Sequence, residues 1–525
     1  MKAFRTFLLA TSVAMALPAA AQADSVVRAV LGNDLQSLDP IFSTSYASRT
    51  LGYLAYDTLI ARNSEGGFQP QMLEKWTVSD DGMTYTFTLR DGLKWHDGSA
   101  VTAADCVASL TRWGKKDGLG GRMFAATESL TATDDKTFVL KLAKPFGLVV
   151  DALAKESSPV PFMMPERLAK TDVATALTEV DGSGPFTFKA DAFVPGSIAV
   201  FEKNDAYVPR GDPADRLAGG KVVKVDRVEL KAINDAQTQV AALAAGEVDF
   251  LQYVPYDLLP VLTSDAAVTV ADPGAAGTNI GMIRVNHLQP PFDKPEVRLA
   301  FQMAVDRAEV LTALGGTPEF LHPECLSYFG CNGPYAATEG GADLLTYDLD
   351  KVKAAVAASG YKGEKIVLMV VNDGQEALAG PVVEAQLKRA GFNVEVQLMD
   401  IDTLFERRTS KEPVDKGGWS AFLTYLSEVD VGSPATNSYV TSNYCNPNYP
   451  GWTCDEKINT LLGEFLTDDS YTKRKEIANA INVRAHETVP AVLWGQFTTP
   501  LAYRNDLTDV IVQVPTPVFW SMEKK

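Results

Sequence analysis

The stretch that decides the fold is KIVLMVV (365–371), followed by AGPVVEAQLKRA (379–390) and NVEVQL (393–398). The first segment is a continuous apolar run with the length of a buried strand, and the second has the length of a helix. Gly391 supplies a helix stop, because glycine accepts the left-handed conformation that often ends a helix. This strand–helix–strand order predicts an α/β domain with a largely parallel sheet.

Similar elements continue on both sides of this unit. Helices are predicted over 236–245, 296–314 and 350–359, and strands over 248–253, 490–494 and 510–514. The last two strands would return the C-terminus to the first domain. A glycine-containing turn at 274–277 leads into an apolar strand at 279–286, which is the pattern of a crossing between domains. Interleaved domains joined by a few strands suit a clamshell, since hinges absorb large dihedral changes at few positions.

The first third of the chain has a different pattern, with short strands and turns. The segment MTYTFTLR (83–90) alternates with period two between Asp-Asp-Gly and Asp-Gly turns, and TFVLKL (Thr137–Leu142) repeats the pattern. Such alternation is typical of half-buried strands. We therefore expect a β-rich region before the α/β part of the chain.

The N-terminus has the three parts of a secretory signal peptide. Lys2 and Arg5 are basic, 7–17 is apolar, and Ala21-Gln22-Ala23 is a small-residue cleavage site. The apolar run is shorter than the roughly 20 residues that span a bilayer. We predict a signal peptide over 1–23, a mature chain from Asp24 in the periplasm and, because no cysteine follows the cleavage site, no lipid anchor.

Charge and length exclude several classes of partner. The 525 residues carry a formal net charge of −18, which disfavours nucleic acid and anionic lipid as partners. Hydrophobic residues make up 46% of the chain, which is ordinary for a globular protein, and the length allows two or more domains.

The five cysteines indicate a disulfide pattern without proving it. Cys325 and Cys331 lie close in sequence, as do Cys445 and Cys454, in segments with loop composition. Proximity favours these two pairs, although other pairings stay open. Cys106 follows Thr102 and Asp105, which have the spacing of a helix capping box, and we expect it to be a small buried side chain.

A search for catalytic motifs gives no candidate. The four histidines form no zinc motif, and neither a nucleophile elbow nor a phosphate-binding loop is present in the sequence. We predict no catalytic residues, no metal site and no cofactor. A secreted hydrolase of a small substrate stays open as an alternative, as does a periplasmic sensor or chaperone.

Several motifs, in order along the mature chain, carry a family resemblance. They are SLDP (37–40), YDTL (56–59), WTVSDDG (76–82), TFTLRDGLKWHDG (86–98), TAAD (102–105), GSGPF (182–186), NDAY (204–207), AAGEVD (244–249), Asn286, PFD (291–293), VR (297–298) and AVDR (304–307). The chain resembles the periplasmic solute-binding proteins of ABC importers in the dipeptide-, oligopeptide- and nickel-binding group.

The resemblance implies a two-lobed periplasmic-binding-protein clamshell of the class II type with an additional β-rich subdomain. Lobe I would comprise residues 24–65, 189–282 and 496–525, with an inserted subdomain at 66–188. Lobe II would comprise residues 283–495. It also implies a monomeric, non-catalytic protein that captures a small solute and delivers it to an ABC permease in the inner membrane.

The ligand is less defined than the family. In peptide-binding relatives an aspartate of lobe II meets the peptide amine, and here Glu428 or Asp430 could take that role. Other expected ligand contacts are Thr44, Ser45, Tyr46, Asn372, Asp373, Trp419 and Tyr425. No arginine follows Asn372 to pair with a peptide carboxylate, although Arg407 or Arg408 could lie nearby. The ligand could therefore be a peptide, an opine, a sugar or a modified amino compound.

Overall fold

The structure is a computed structural model that describes residues 25–441 and 445–525. The predicted signal peptide at 1–23 lies outside these residues. Within the described ranges, no helix combines the length and the apolar character needed to cross a membrane.

The strands are short, as is usual in a mixed α/β fold. In chain order they are β1 (Val26–Val30), β2 (Asp57–Thr58), β3 (Ile60–Arg62), β4 (Phe68–Pro70), β5 (Leu73–Val78), β6 (Thr84–Leu89), β7 (Thr127–Ala132), β8 (Thr137–Leu142), β9 (Phe162–Met163), β10 (Phe186–Phe188), β11 (Ile198–Lys203), β12 (Arg227–Lys231), β13 (Phe250–Leu251), β14 (Val268–Ala271), β15 (Thr278–Val285), β16 (Leu321–His322), β17 (Ile366–Val371), β18 (Val394–Met399), β19 (Ala421–Ser427), β20 (Ala491–Thr498), β21 (Leu501–Arg504), β22 (Leu507–Thr508) and β23 (Glu523–Lys524).

The helices are spread along the described part of the chain. They are α1 (Tyr46–Ala55), α2 (Ala103–Lys116), α3 (Gly118–Ala126), α4 (Val149–Leu153), α5 (Glu166–Ala169), α6 (Ala236–Ala245), α7 (Leu259–Thr263), α8 (Pro295–Met303), α9 (Arg307–Ala313), α10 (Leu349–Ala358), α11 (Gly374–Ala390), α12 (Ile401–Arg407), α13 (Glu428–Val431), α14 (Glu456–Thr467) and α15 (Tyr471–Thr488).

Two large sheets form the centres of two lobes. The first lobe has the strand order β10-β11-β12-β1-β13-β21-β14, and the second lobe has the order β16-β20-β15-β19-β17-β18. A separate four-stranded sheet, β5-β6-β8-β7, forms the core of the subdomain. This arrangement confirms the predicted two-lobed α/β fold with an additional β-rich subdomain.

The prediction of a largely parallel sheet was wrong. In the second lobe β17 runs parallel to β18 and β19, but β15 pairs antiparallel with both β19 and β20. The antiparallel strands are those that carry the chain from the other lobe and back to it. Strand–helix–strand patterns indicate only parallel pairs, so the sequence did not predict the antiparallel pairs of this sheet.

Two crossings join the lobes within the described part of the chain. One leads from β14 to β15, and the other leads from β20 to β21. At their junction the hydroxyls of Thr278 and Thr498 are 3.0 Å apart, and the Asn279 amide donates to the Thr499 hydroxyl at 3.3 Å. The predicted lobe boundary at 282/283 falls inside β15. Strand β10, at the end of the predicted subdomain, pairs in the first-lobe sheet instead. We therefore propose lobe boundaries near 277/278 and 498/499.

The predicted helix at 296–314 is two helices, α8 and α9. The Asp306 side chain accepts hydrogen bonds from the amides of Ala308 and Glu309, and these bonds start a new helix at Arg307. In α11 the same kind of cap at Asp373 starts the helix five residues before the predicted position. Capping side chains therefore decided both helix starts.

Residues 510–514 do not form the predicted strand. This segment runs into Pro515 and Pro517, which lack the amide hydrogen that a sheet ladder needs. The C-terminal segment returns to the first lobe through β21 instead, which pairs with β13 and β14. The strand predicted at 248–253 is reduced to β13.

The cysteine predictions are confirmed. Cys325 is bonded to Cys331 and Cys445 to Cys454, with Cα–Cα distances of 6.0 and 4.3 Å. Cys106 is a buried free thiol on α2, and the Thr102–Asp105 capping box at the start of that helix is formed.

A buried ion pair attaches the subdomain to the first lobe. Both nitrogens at the end of Arg112, on α2, donate to Asp39, at 3.1 and 2.7 Å, and the two side chains are 1% and 0% exposed. Asp39 also accepts hydrogen bonds from the amides of Ile41, Phe42 and Leu177. Burial alone would raise the pKa of Asp39, but the Arg112 and amide hydrogen bonds hold it below its ordinary value.

Asp39→Asn should lower the free energy of unfolding by about 3–5 kcal/mol, because it leaves the buried Arg112 charge unpaired. Chemical denaturation at pH 7 measures this change. Asp91→Asn is the control, since its pair with Lys136 is exposed and its loss should leave the free energy of unfolding nearly unchanged. Equal effects from the two variants would contradict the role of the buried pair.

Candidate functional site

Five side chains from the two lobes face one another where the lobes meet, and we call them the cleft cluster. Tyr46, Arg49 and Tyr253 come from the first lobe, and Tyr425 and Asp430 come from the second. Burial raises the pKa values of Tyr46, Tyr253 and Tyr425, and the nearby Asp430 charge adds to the shift of the first two. The site therefore depends on both lobes.

Asp430 makes direct polar contacts with the first lobe. Its carboxylate accepts a hydrogen bond from the Tyr46 hydroxyl at 2.8 Å and pairs with Arg49 at 3.3 Å. Burial, and then the nearby Asp430 charge, raises the pKa of Tyr46 well above its ordinary value, so this hydroxyl stays a donor. A charged acceptor in a partly dry cleft makes such bonds strong.

Arg49 was not found by the sequence analysis. Its side chain is 2% exposed, its guanidinium lies 4.5 Å from the centre of the Tyr46 ring, and it donates to the Pro515 carbonyl at 2.7 Å. It follows Tyr46 by three positions on α1, so the two share a helix face. That spacing was the available signal.

The other predicted residues of this loop lie beside the cluster. Ser45 precedes α1, and its hydroxyl accepts a hydrogen bond from the Asn33 side chain at 2.6 Å. Thr44 is exposed. These two residues bring hydroxyl groups to the edge of the cleft.

The two acidic candidates of the second lobe occupy different places. Glu428 is 3% exposed, and its Oε1 accepts a hydrogen bond from the Asn332 amide at 3.0 Å. It lies against the Cys325–Cys331 loop so closely that a Cβ atom at Gly330 would be 2.2 Å from it. Burial raises the pKa of Glu428 to about 7. Asp430 faces the first lobe, whereas Glu428 is enclosed by its own lobe.

A second polar group lies at the carboxyl end of β17. The register of Met369 opposite Phe422 brings Asn372 and Tyr425 to the same edge of the parallel strands β17 and β19. Asn372 is exposed, and Asp373 caps α11 through a hydrogen bond from the Gly374 amide at 2.7 Å. Ligands commonly bind at this edge of α/β sheets.

Trp419 and Arg407 are engaged within the second lobe. Trp419 is fully buried before the start of β19, packs on Phe422 and Trp452, and donates to the Arg408 carbonyl at 3.0 Å. The Arg407 guanidinium donates to Gln397, Gly417 and Gly418. The structure thus places Trp419 in the core of the second lobe and commits Arg407 to contacts within that lobe.

A cavity lies beside Tyr253 at the two crossings. It is small and partly open to solvent, and its lining includes Gln252, Tyr253, Pro273, Gly277, Thr499 and Thr516. No group of three or more His, Cys, Asp or Glu side chains in the described ranges could hold a metal ion. The polar groups at the cleft are suited to hold a small polar solute by charge-assisted hydrogen bonds.

Comparison with known proteins agrees with this geometry. Residues 67–449 match the model of the bacterial extracellular solute-binding proteins, family 5. The chain is 38% identical to the probable peptide ABC transporter periplasmic-binding protein y4tO of Sinorhizobium fredii, over 98% of both chains.

Two solved structures share the fold. AgaA of A. tumefaciens R10, in complex with agropinic acid, has a TM-score of 0.74 at 22% identity and covers 95% of this chain and 99% of its own. The oligopeptide-binding protein AppA of Bacillus subtilis, in complex with a nonapeptide, has a TM-score of 0.75 at 19% identity, covering 96% and 99%. These likenesses confirm the two-lobed clamshell. The chain belongs to the bacterial extracellular solute-binding proteins of family 5.

Proposed function

We propose that this protein captures a peptide or a similar small solute between its lobes and delivers it to the permease of an ABC importer. The relative that is 38% identical over nearly the full length is named as a peptide-transporter binding protein, which supports the peptide class. The observation that carries the proposal is the set of contacts from Tyr46 and Arg49 to Asp430, because they join the two lobes around the cleft.

Closure is the physical basis of capture. The bonds from Tyr46 and Arg49 to Asp430 can form only when the lobes are together, so they favour the closed form. A solute shifts the balance further only by its preference for that form. Apolar and aromatic walls exclude water, and a few polar groups fix the solute.

Asp430 is the acid that we assign to solute recognition. It lies at the cleft with part of its carboxylate accessible, since its side chain is 23% exposed. We assign Thr44, Ser45, Tyr46, Asn372, Asp373 and Tyr425 to the walls of the same cleft. Glu428 has a structural role instead, because its Oε1 is used by the Asn332 amide and the carboxyl is enclosed by the disulfide loop.

The solute leaves chemically unchanged in this proposal, and the protein works in the periplasm after removal of residues 1–23. Its relatives are binding proteins, which supports a non-catalytic role. It acts as a monomer, because each copy supplies both sides of its own cleft.

Native mass spectrometry of protein purified without denaturation tests this function. We expect a retained solute of peptide mass, reduced at least tenfold in Asp430→Asn and kept in the control Glu428→Gln. Prolonged incubation should release the solute with its mass unchanged. A product of altered mass, or equal retention by both variants, would contradict the proposal.

The stability of the protein should depend on pH through the buried Glu428 carboxyl. A carboxyl with a folded-state pKa of about 7, against an ordinary value near 4.5, favours folding while it is protonated. Its contribution is complete below about pH 4.5 and is lost as the pH rises through 7. Glu428→Gln should therefore gain stability relative to the unsubstituted protein between pH 5 and 8, by about 2–3 kcal/mol.

Denaturation curves across this pH range measure the difference. Glu406→Gln is a matched control on an exposed helix surface and should leave the profile unchanged. Parallel profiles for Glu428→Gln and the unsubstituted protein would show that burial does not perturb this carboxyl.

A further inference from the structure

The subdomain touches the second lobe at a place that shares no residue with the crossings or with the cleft cluster. The amide of Gly147, just before α4, donates to the Leu466 carbonyl of α14 at 2.9 Å. The close approach requires a glycine, because a Cβ atom at this position would be 2.2 Å from the Asp468 carbonyl oxygen. The backbones of the subdomain and of the second lobe are therefore in direct contact here.

Two arginines, one from each lobe, meet at a single carboxylate beside this backbone contact. Asp151 of α4 accepts a hydrogen bond from Arg62, at the end of β3, at 3.1 Å. The guanidinium of Arg474, on α15, lies 3.7 Å from the other oxygen of that carboxylate and donates to the Gly147 carbonyl at 3.4 Å. The Arg474 side chain is 6% exposed and that of Asp151 is 15% exposed, so salt screens their attraction little. We call Gly147, Asp151, Leu466 and Arg474 the subdomain contact.

Each charged group of the subdomain contact also has a partner on its own side. Arg474 donates to the Tyr335 hydroxyl at 3.1 Å and to the Asp468 carbonyl at 3.0 Å, both in the second lobe. Asp151 has Arg62. Separating the two sides therefore leaves neither charge without a partner, which is the condition that makes breaking a buried ion pair most costly. The subdomain contact can thus open and form again without isolating a charge.

The subdomain is attached much more firmly to the first lobe. Strand β9 of the subdomain pairs with β2, and β4 pairs with β3, so backbone ladders join it to the first lobe. The buried pair of Asp39 and Arg112 adds a third connection. Among the strands that the structure describes, none of the subdomain pairs with a strand of the second-lobe sheet. The subdomain contact is therefore a contact that the first lobe makes, through its subdomain, with the second.

We propose that the subdomain contact is a latch for the closed form, so that the subdomain sets how long a captured solute is retained. This inference rests on the proposed function for the presence of a solute, but not for its chemical class. The latch lies outside the residues assigned to the solute, and it acts on the balance between the open and closed forms. Because opening must break it, its main effect is on the rate of solute release.

Gly147→Ala places a steric obstacle in the latch. The added methyl group would overlap the Asp468 carbonyl oxygen while the lobes are closed, and overpacking of this kind disfavours the arrangement that contains it. The backbone of Gly147 does not have the positive φ that only glycine adopts readily, so alanine is tolerated once the lobes separate. Gly118→Ala in the subdomain and Gly463→Ala on α14 are matched controls, because a Cβ atom at either position meets no atom within 4 Å.

The rate of solute release measures the latch. Each protein is purified without denaturation and diluted, and native mass spectrometry follows the fraction that still carries its solute. We expect Gly147→Ala to release the solute about tenfold faster than the unsubstituted protein, and both controls to stay within about twofold of it. Release from Gly147→Ala at the rate of the controls would overturn the latch.

Asp151→Asn tests the charged half of the latch without adding volume. It keeps the size of the side chain and removes its attraction for Arg474, so release should be about threefold faster. Asp91→Asn removes an exposed charge from the same subdomain and should release the solute at the unsubstituted rate. If Gly147→Ala does not fold, Asp151→Asn decides, and a release rate equal to that of Asp91→Asn would overturn the proposal.

Solution scattering separates this inference from the proposed function, because it requires no bound solute. If the unsubstituted protein retains no solute, or alters the one it retains, the proposed function fails and the radius of gyration decides the latch. Gly147→Ala should then have a larger radius of gyration than Gly118→Ala and Gly463→Ala. Equal radii in the three proteins would overturn the latch as well.

Discussion

The contact of Asp430 with Tyr46 and Arg49 is the interaction on which the rest of the site depends. Arg49 is buried in the first lobe, and its carboxylate partner comes from the second lobe. A buried guanidinium is costly without a partner, so separating the lobes removes a stabilising contact from each side. The ion pair therefore favours the closed arrangement of the lobes. A bound solute has to supply only the rest of the free-energy preference for that arrangement.

The two crossings and the buried pair of Asp39 with Arg112 define which parts move. Strands β15 and β20 lie side by side, so both chain connections leave the second lobe at one place. The ion pair between Asp39 and Arg112 joins the subdomain to the first lobe, and the subdomain also touches the second lobe, where the Gly147 amide donates to the Leu466 carbonyl at 2.9 Å. In our proposal the lobes close by rotating about this junction, and the hinge strands absorb the change at few positions.

Sequence reasoning succeeded where the signal was local. The strand at 366–371, the stop at Gly391 and the capping box before Cys106 follow from short patterns, and the structure has them within a residue or two. It missed the second start of a helix after Asp306, although the cap there is local, since the Asp306 side chain accepts hydrogen bonds from the amides of Ala308 and Glu309. Glu428 and Asp430 illustrate this limit. They are separated by two positions on one helical turn, so their side chains point in directions that differ by about 200°. The sequence does not show which of the two faces the cleft.

Small-angle X-ray scattering tests most directly whether the lobes close on a solute. The protein as purified, with its retained solute, should have a smaller radius of gyration than the same protein after the solute is stripped, and adding the solute back should restore the smaller value. Identical scattering from the loaded and stripped protein would contradict the account.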